Sequence, residues 1–187
     1  MDLEAEKNLV RQAQRDPDAF AGLYDHYYPR IFGYVLRRTA SLEAAQDITS
    51  ETFFKALRKL WQFRWRNISF SSWLYKIASN EISQYFRQPE YRKSVSLEEM
   101  QEQGFEPVSP HDPADELAEA QEKLERHRDY CQIQAKVARL PAKYQEVIAL
   151  RFFEQKQIKE IAEILGKKEG TVKSLLHRAV EKLREAE

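Results

Sequence analysis

The chain has 187 residues, enough for one ordinary domain or two small ones, and its 30 basic and 30 acidic side chains cancel to a formal net charge of zero. Five Gly, seven Pro and abundant Leu, Ala, Glu, Gln, Lys and Arg point to a mostly helical protein. The single Cys131 excludes an internal disulfide, and no apolar run is long enough for a transmembrane span.

Met1 to Arg15 carry charges throughout and lack the apolar core of a secretion signal, so the protein is expected to stay where it is made. Asp16 suits an N-cap with Pro17 at the first helical position, and Phe20, Leu23, Tyr24, Tyr27, Ile31 and Tyr34 follow at helical spacing. Ser41 can cap a second long helix running to about Trp61. After a break near Arg64 to Ser69, a third helix is expected from about Phe70 to Arg87, stopped by Pro89.

Zero net charge hides a segregation along the chain. Between Lys55 and Lys93 the bases Lys55, Arg58, Lys59, Arg64, Arg66, Lys76, Arg87, Arg92 and Lys93 meet only Glu81 and Glu90. From Ser94 to Glu125 the sign reverses, with Lys123 the only base in a run of Glu and Asp. This asymmetry suggests a basic binding surface followed by an acidic segment; clustered solvated faces are the plainer alternative. Gly104, Pro107, Pro110 and Pro113 interrupt the acidic stretch, which reads as a linker. The expected architecture is therefore all-α, two small helical domains at 1–90 and 131–187 joined by a flexible acidic linker over 91–130. A weak helical segment from Glu116 to Arg139 leads into Leu140 and Pro141, after which Tyr144, Val147, Ile148 and Phe152 resume the period.

Near the carboxyl end, Ile158, Ile161, Ala162 and Leu165 mark one face of a short helix ending at Gly166, a residue suited to a left-handed turn. The helix from Thr171 gathers Val172, Leu176, Ala179, Val180 and Leu183 on one side and Ser174, His177, Arg178 and Glu181 on the other. Two short amphipathic helices joined by a Gly-containing turn can set the second helix into a DNA major groove. Lys173, Ser174, His177 and Arg178 then have the reach to touch base edges or phosphates. A helical hairpin without DNA function would show the same polar face, so pattern alone leaves both readings open.

The wording of the segment narrows the choice. Leu140-Pro141-Ala142-Lys143-Tyr144-Gln145-Glu146-Val147-Ile148-Ala149-Leu150, then Glu160-Ile161-Ala162, Gly170-Thr171-Val172-Lys173-Ser174 and His177-Arg178-Ala179, closely resembles the −35-binding region of bacterial sigma factors. The extracytoplasmic function, or ECF, group is the nearest match. Ala45-Gln46-Asp47-Ile48-Thr49-Ser50-Glu51-Thr52-Phe53-Phe54-Lys55-Ala56 likewise resembles that family's core-polymerase-binding helix. Leu175 stands where the family commonly has Arg, and Gln84 where Asp is frequent.

The residues themselves support a binding role for this second helix. If Ala45, Ile48, Phe53, Ala56 and Leu60 face the core, Asp47, Ser50, Glu51, Phe54, Arg58 and Trp61 point away from it. Phe and Trp among acids and an Arg mark a protein-docking face; covering a neighbouring helix is the alternative. The resemblance implies docking on the clamp helices of the largest subunit of core RNA polymerase. Next come Arg64, Trp65, Arg66 and Asn67, aromatics interleaved with Arg as suits single-stranded DNA, where bases stack on rings and guanidinium groups hold phosphates. The following helix carries Ser72, Lys76, Ser79, Asn80, Ser83 and Arg87 opposite its apolar face, a stripe without a carboxylate. Phe70 and Trp73 are expected in the core. By resemblance this element recognises and melts the promoter −10 region, with the loop at 64–69 capturing a flipped base.

The family resemblance further implies a bacterial cytoplasmic protein, an anti-sigma partner, no membrane insertion, and no cofactor or catalysis. His127 and Cys131 lack further ligands for a metal site, and no phosphate-binding glycine loop occurs. Two rivals stay open: a stand-alone helix-turn-helix regulator that binds duplex DNA as a dimer without polymerase, and a nucleic-acid-processing enzyme.

Overall fold

The structure, a computed structural model, describes residues 3–65, 69–87 and 132–185. The expected linker, Arg66, Asn67, His127 and Cys131 lie outside the described residues. All regular secondary structure among the described residues is helical.

The first unit comprises α1 (Leu3–Ala13), α2 (Phe20–Thr39), α3 (Leu42–Lys59) and α4 (Phe70–Tyr85). Its starts are set by side-chain caps. The Asp16 carboxylate accepts from the Asp18 N–H, and Pro17 opens a short 3-10 turn before α2. Ser41 Oγ accepts from the Ala44 N–H and Ser69 Oγ from the Ser72 N–H, each satisfying a donor that a helix start leaves free. The α2 stop falls on Ala40, whose φ of 51° is left-handed without a glycine. Its N–H still donates to the Leu36 carbonyl, so the turn is closed although sequence offered no stop signal there.

Leu23, Ile31, Tyr34 and Val35 from α2 pack with Ala45, Phe53 and Ala56 from α3 and Phe70, Leu74 and Ala78 from α4, all essentially inaccessible to solvent. Each large apolar side chain so buried contributes about 1.5–3 kcal/mol relative to exposure. The core phases expected for α3 hold: Ala45, Ile48, Phe53, Ala56 and Leu60 are all buried. Phe70 is fully buried, while Trp73 is partly covered against the same core. α1 closes one end through Val10 and Ala13, with Glu6 buried beside them. Glu6 accepts hydrogen bonds from the Tyr27 hydroxyl and, at 3.2 Å, from the Ser71 N–H. Burial first, and the Glu6 hydrogen bond second, push the Tyr27 phenol far above its ordinary pKa.

The second unit begins with a helical stretch, α5, described over 132–138. Then come α6 (Ala142–Ile148), a π-helical turn (Ala149–Phe153), α7 (Ile158–Leu165) and α8 (Glu169–Glu185). Gly166 ends α7 at φ 62°, as its position suggested, and Lys167 donates back to the Ala162 carbonyl at 2.9 Å. Val147, Leu150, Ile161, Val172 and Ala179 are inaccessible and form this unit's interior.

The two units are not separate. α7 packs along α4, and the π turn meets α2. Glu154 at the end of the π turn accepts from the Arg37 guanidinium and from the Tyr75 hydroxyl. Arg38 reaches the Ala142 carbonyl at 3.2 Å and Gln145 Oε1 at 3.1 Å. Lys156 Nζ donates to Ser71 Oγ at 2.6 Å and lies 4.9 Å from the Tyr75 ring centroid. Burial holds the Lys156 pKa below that of a free lysine, against the pull of Glu160, Glu6 and Glu154.

Candidate nucleic-acid interface

α8 presents its polar side to solvent because Val172 and Ala179 fix the opposite side in the core. Lys173, Ser174, His177 and Arg178 are all exposed and together border a shallow, open depression of about 330 Å³. Ser174 Oγ donates to the Gly170 carbonyl at 2.9 Å, and His177 Nδ1 lies 3.2 Å from Glu181. Among the described residues Lys173 and Arg178 have no such tie. Leu175 is half-buried against the core, so its position offers no cation outward.

On α3 the outward face is as expected: Asp47, Ser50, Glu51, Phe54 and Arg58 are exposed. Phe54 is 53% and Trp61 66% exposed, and Leu57, which helical phase had not singled out, is 40% exposed between them. Spacings of three and four place these three side chains in one apolar strip. The Arg58 guanidinium stacks 5.6 Å from the Phe54 ring centroid, which holds the ring edge in a mixed apolar and cationic surface.

The stripe on α4 divides. Lys76, Asn80, Ser83 and Arg87 are exposed, and Asn80, Ser83 and Arg87 join Lys55, Lys59, Ile77, Glu81 and Gln84 in a groove of about 300 Å³ between α3 and α4. Lys55 in that groove bonds Glu81 at 2.7 Å and Glu51 at 3.1 Å; the Glu81 bond leads in raising its pKa, so it stays protonated. Ser72 and Ser79, expected on the outward side, are instead buried. The physical reason is that α4 is covered on three sides, by α2, α3 and α7. Ser72 Oγ lies 2.9 Å from Ser69 Oγ and 3.2 Å from Glu160, and Ser79 Oγ lies 2.8 Å from the buried Tyr34 hydroxyl. Arg64 is exposed but donates to the Trp61 and Phe63 carbonyls, and Trp65 packs edge-on to Phe63.

Among the described residues no three His, Cys, Asp or Glu side chains come together to hold a metal ion, and no helix is long and apolar enough to cross a membrane. What the geometry defines is a helical protein with a helix-turn-helix whose second helix turns a polar face to solvent, and with a separate exposed apolar strip on α3. Residues 23–91 match the Sigma-70 region 2 family and residues 132–183 the Sigma-70 region 4 family. The ECF sigma factor SigW of Bacillus subtilis is 32% identical over 185 residues, covering 98% of this chain and 97% of SigW. BldN of Streptomyces coelicolor, another ECF sigma factor, is 35% identical over 176 residues; the match takes in 94% of this chain but 63% of BldN's length. The chain belongs to the ECF RNA polymerase sigma factors, which confer promoter-specific initiation. The fold is shared with CnrH, solved in complex with the cytosolic domain of CnrY, at 20% identity, 97% and 96% coverage of the two chains and a TM-score of 0.68. It is shared also with RpoE of Bartonella quintana, solved with the anti-sigma factor NepR, at 21% identity, 89% and 94% coverage and a TM-score of 0.62.

Proposed function

We propose that this chain docks on core RNA polymerase through Asp47, Ser50, Glu51, Phe54 and Arg58, the clamp helices of the largest subunit being the receiving surface. In that assembly α8 reads the −35 element through Lys173, Ser174, His177 and Arg178. The −10 element is read and held open by Arg64, Trp65, Arg66, Asn67, Lys76, Asn80, Ser83 and Arg87, without the buried Ser72 and Ser79. Residues 1–90 and 131–187 act as the two functional domains, with 91–130 as their tether. Strand separation needs no nucleotide hydrolysis by this chain, because preferential binding of the opened strand shifts the population of melted promoter. The protein works in the bacterial cytoplasm, carries no catalytic residue or cofactor of its own, and is restrained by an anti-sigma factor.

The observation that carries this reading is the coexistence of the exposed Phe54, Leu57 and Trp61 strip on α3 with the polar face of α8. A stand-alone helix-turn-helix regulator needs the second and would use the first only to pair with another copy of itself. Footprinting on a promoter tests the assignment. Protection at −35 is expected only when core polymerase is present, and Arg178→Ala should weaken it by about 1 to 3 kcal/mol, the usual worth of a base or phosphate contact by Arg. Protection by the chain alone would favour the regulator, and an unaltered footprint with Arg178→Ala would remove that residue from the interface.

A further inference from the structure

His177 stands on the exposed face of α8 with one of its two ring nitrogens already occupied. Its Nδ1 lies 3.2 Å from Glu181 Oε2, one helical turn further along. Carboxylate lone pairs at that distance repel a bare ring nitrogen and attract a proton. The hydrogen of the neutral ring therefore sits on Nδ1, and Nε2 is left as an acceptor. Ser174, one turn earlier, is biased the same way: its hydroxyl proton goes to the Gly170 carbonyl at 2.9 Å, which leaves the oxygen lone pairs for a ligand. We propose that Glu181 is a positioning residue for promoter reading, one that makes His177 a hydrogen-bond acceptor and so selects, at one position of the −35 element, a base presenting an exocyclic amine in the major groove. The proposal rests on the assignment of α8 to the −35 element and adds to it the base chemistry that the helix accepts.

The major groove makes that distinction available. Adenine shows its N6 amine there and cytosine its N4 amine, whereas the guanine and thymine edges carry only acceptors and a methyl group. An acceptor on the protein therefore meets a donor at adenine or cytosine and a second lone pair at guanine or thymine. With the proton on the other nitrogen, or on both, Nε2 would donate and the preference would run to guanine. Lys173 and Arg178 border the same depression as Ser174 and His177 but offer donors only, so the amine falls to Ser174 and His177. A purely structural role accounts less well for Glu181. The His177 side chain is 73% and the Glu181 side chain 54% exposed, and an exposed pair one turn apart adds little to helix stability. A carboxylate beside a DNA-reading face also repels phosphates, a cost that fixing the ring offsets.

Selection from a pool of promoter fragments tests this, with the full chain bound to core polymerase at about pH 8, where an imidazole is neutral. Fragments randomised over the −35 element are captured, sequenced and compared as base ratios at each position, a readout that an overall gain or loss of affinity leaves unmoved. His177→Ala identifies the position that the ring reads. There the wild type should favour adenine or cytosine over guanine and thymine by about fivefold, the worth of one hydrogen bond made at the right base and missing at the wrong one. Glu181→Gln should reduce that preference to below about twofold, because a glutamine amide can donate to Nδ1 as readily as its carbonyl can accept. The double variant should lose no more than His177→Ala alone, since Glu181 acts only through the ring. A preference for guanine or thymine at that position, an unaltered preference in Glu181→Gln, or equal changes at every position would overturn the proposal, as would the absence of any position altered by His177→Ala. If the wild-type complex instead selects no −35 sequence at all, the assignment of α8 to that element fails first, and the proposal with it.

Discussion

Phe54→Ala is expected to weaken binding to core RNA polymerase by about 2 kcal/mol, roughly thirtyfold, while leaving the thermal unfolding of the free chain nearly unchanged. The ring is 53% exposed in the free protein, so its removal leaves no cavity and costs little stability. Its flanking residues argue that it is nonetheless specified. Arg58 stacks on it, Leu57 and Trp61 extend the apolar strip, and Asp47, Ser50 and Glu51 supply a polar border. Such a patch, an aromatic anchor rimmed by charges, is where docking energy concentrates. A titration of labelled chain against core polymerase would check it; equal affinity for wild type and variant would move the docking face elsewhere.

Phe70→Ala is the contrasting case, a change expected to act on stability. Phe70 opens α4 and is fully buried, with ring centroids of Tyr27, Phe63 and Trp73 at 5.7, 5.6 and 5.6 Å. Truncation removes the anchor on which α2, the segment after α3 and the start of α4 converge, and partial collapse of the cavity sets the loss at about 3 to 5 kcal/mol. For a chain of this size that lowers the unfolding midpoint by about 6 to 20 °C. Differential scanning calorimetry would read the shift directly. A loss below about 1 kcal/mol would mean that this aromatic cluster does not hold the first unit together.

These two side chains also mark what sequence alone could and could not tell. Helical phase separated Phe53, buried at 3%, from its neighbour Phe54, because a single 100° step divides inside from outside on α3. The same logic placed Val172 and Ala179 inward and Lys173, Ser174, His177 and Arg178 outward on α8, and Gly166 named its own turn. It failed on α4. A helix covered by α2, α3 and α7 has no single solvent side, so its small hydroxyl residues Ser72 and Ser79 are buried where phase put them outside. Serine fits either place, bonded to Glu160 or Tyr34 inside and to water outside, and its identity carries no signal between the two. α1 escaped notice because its inward face joins Leu9, Val10 and Ala13 to a carboxylate, Glu6, that is useful through Tyr27 and Ser71 far along the chain. Ala40, left-handed without a glycine, gave no warning of the end of α2. The seating of the second unit on the first was invisible for the same reason: Glu154 with Arg37 and Tyr75 are pairings across 117 and 79 positions, which no local pattern encodes.

The most direct trial of the whole account is transcription with purified components, core RNA polymerase with and without this chain on a library of promoter fragments. New transcripts should start at defined sites only when the chain is added, and should disappear with Phe54→Ala and Arg178→Ala combined. Transcript start sites identical with and without the chain would contradict the account at its root.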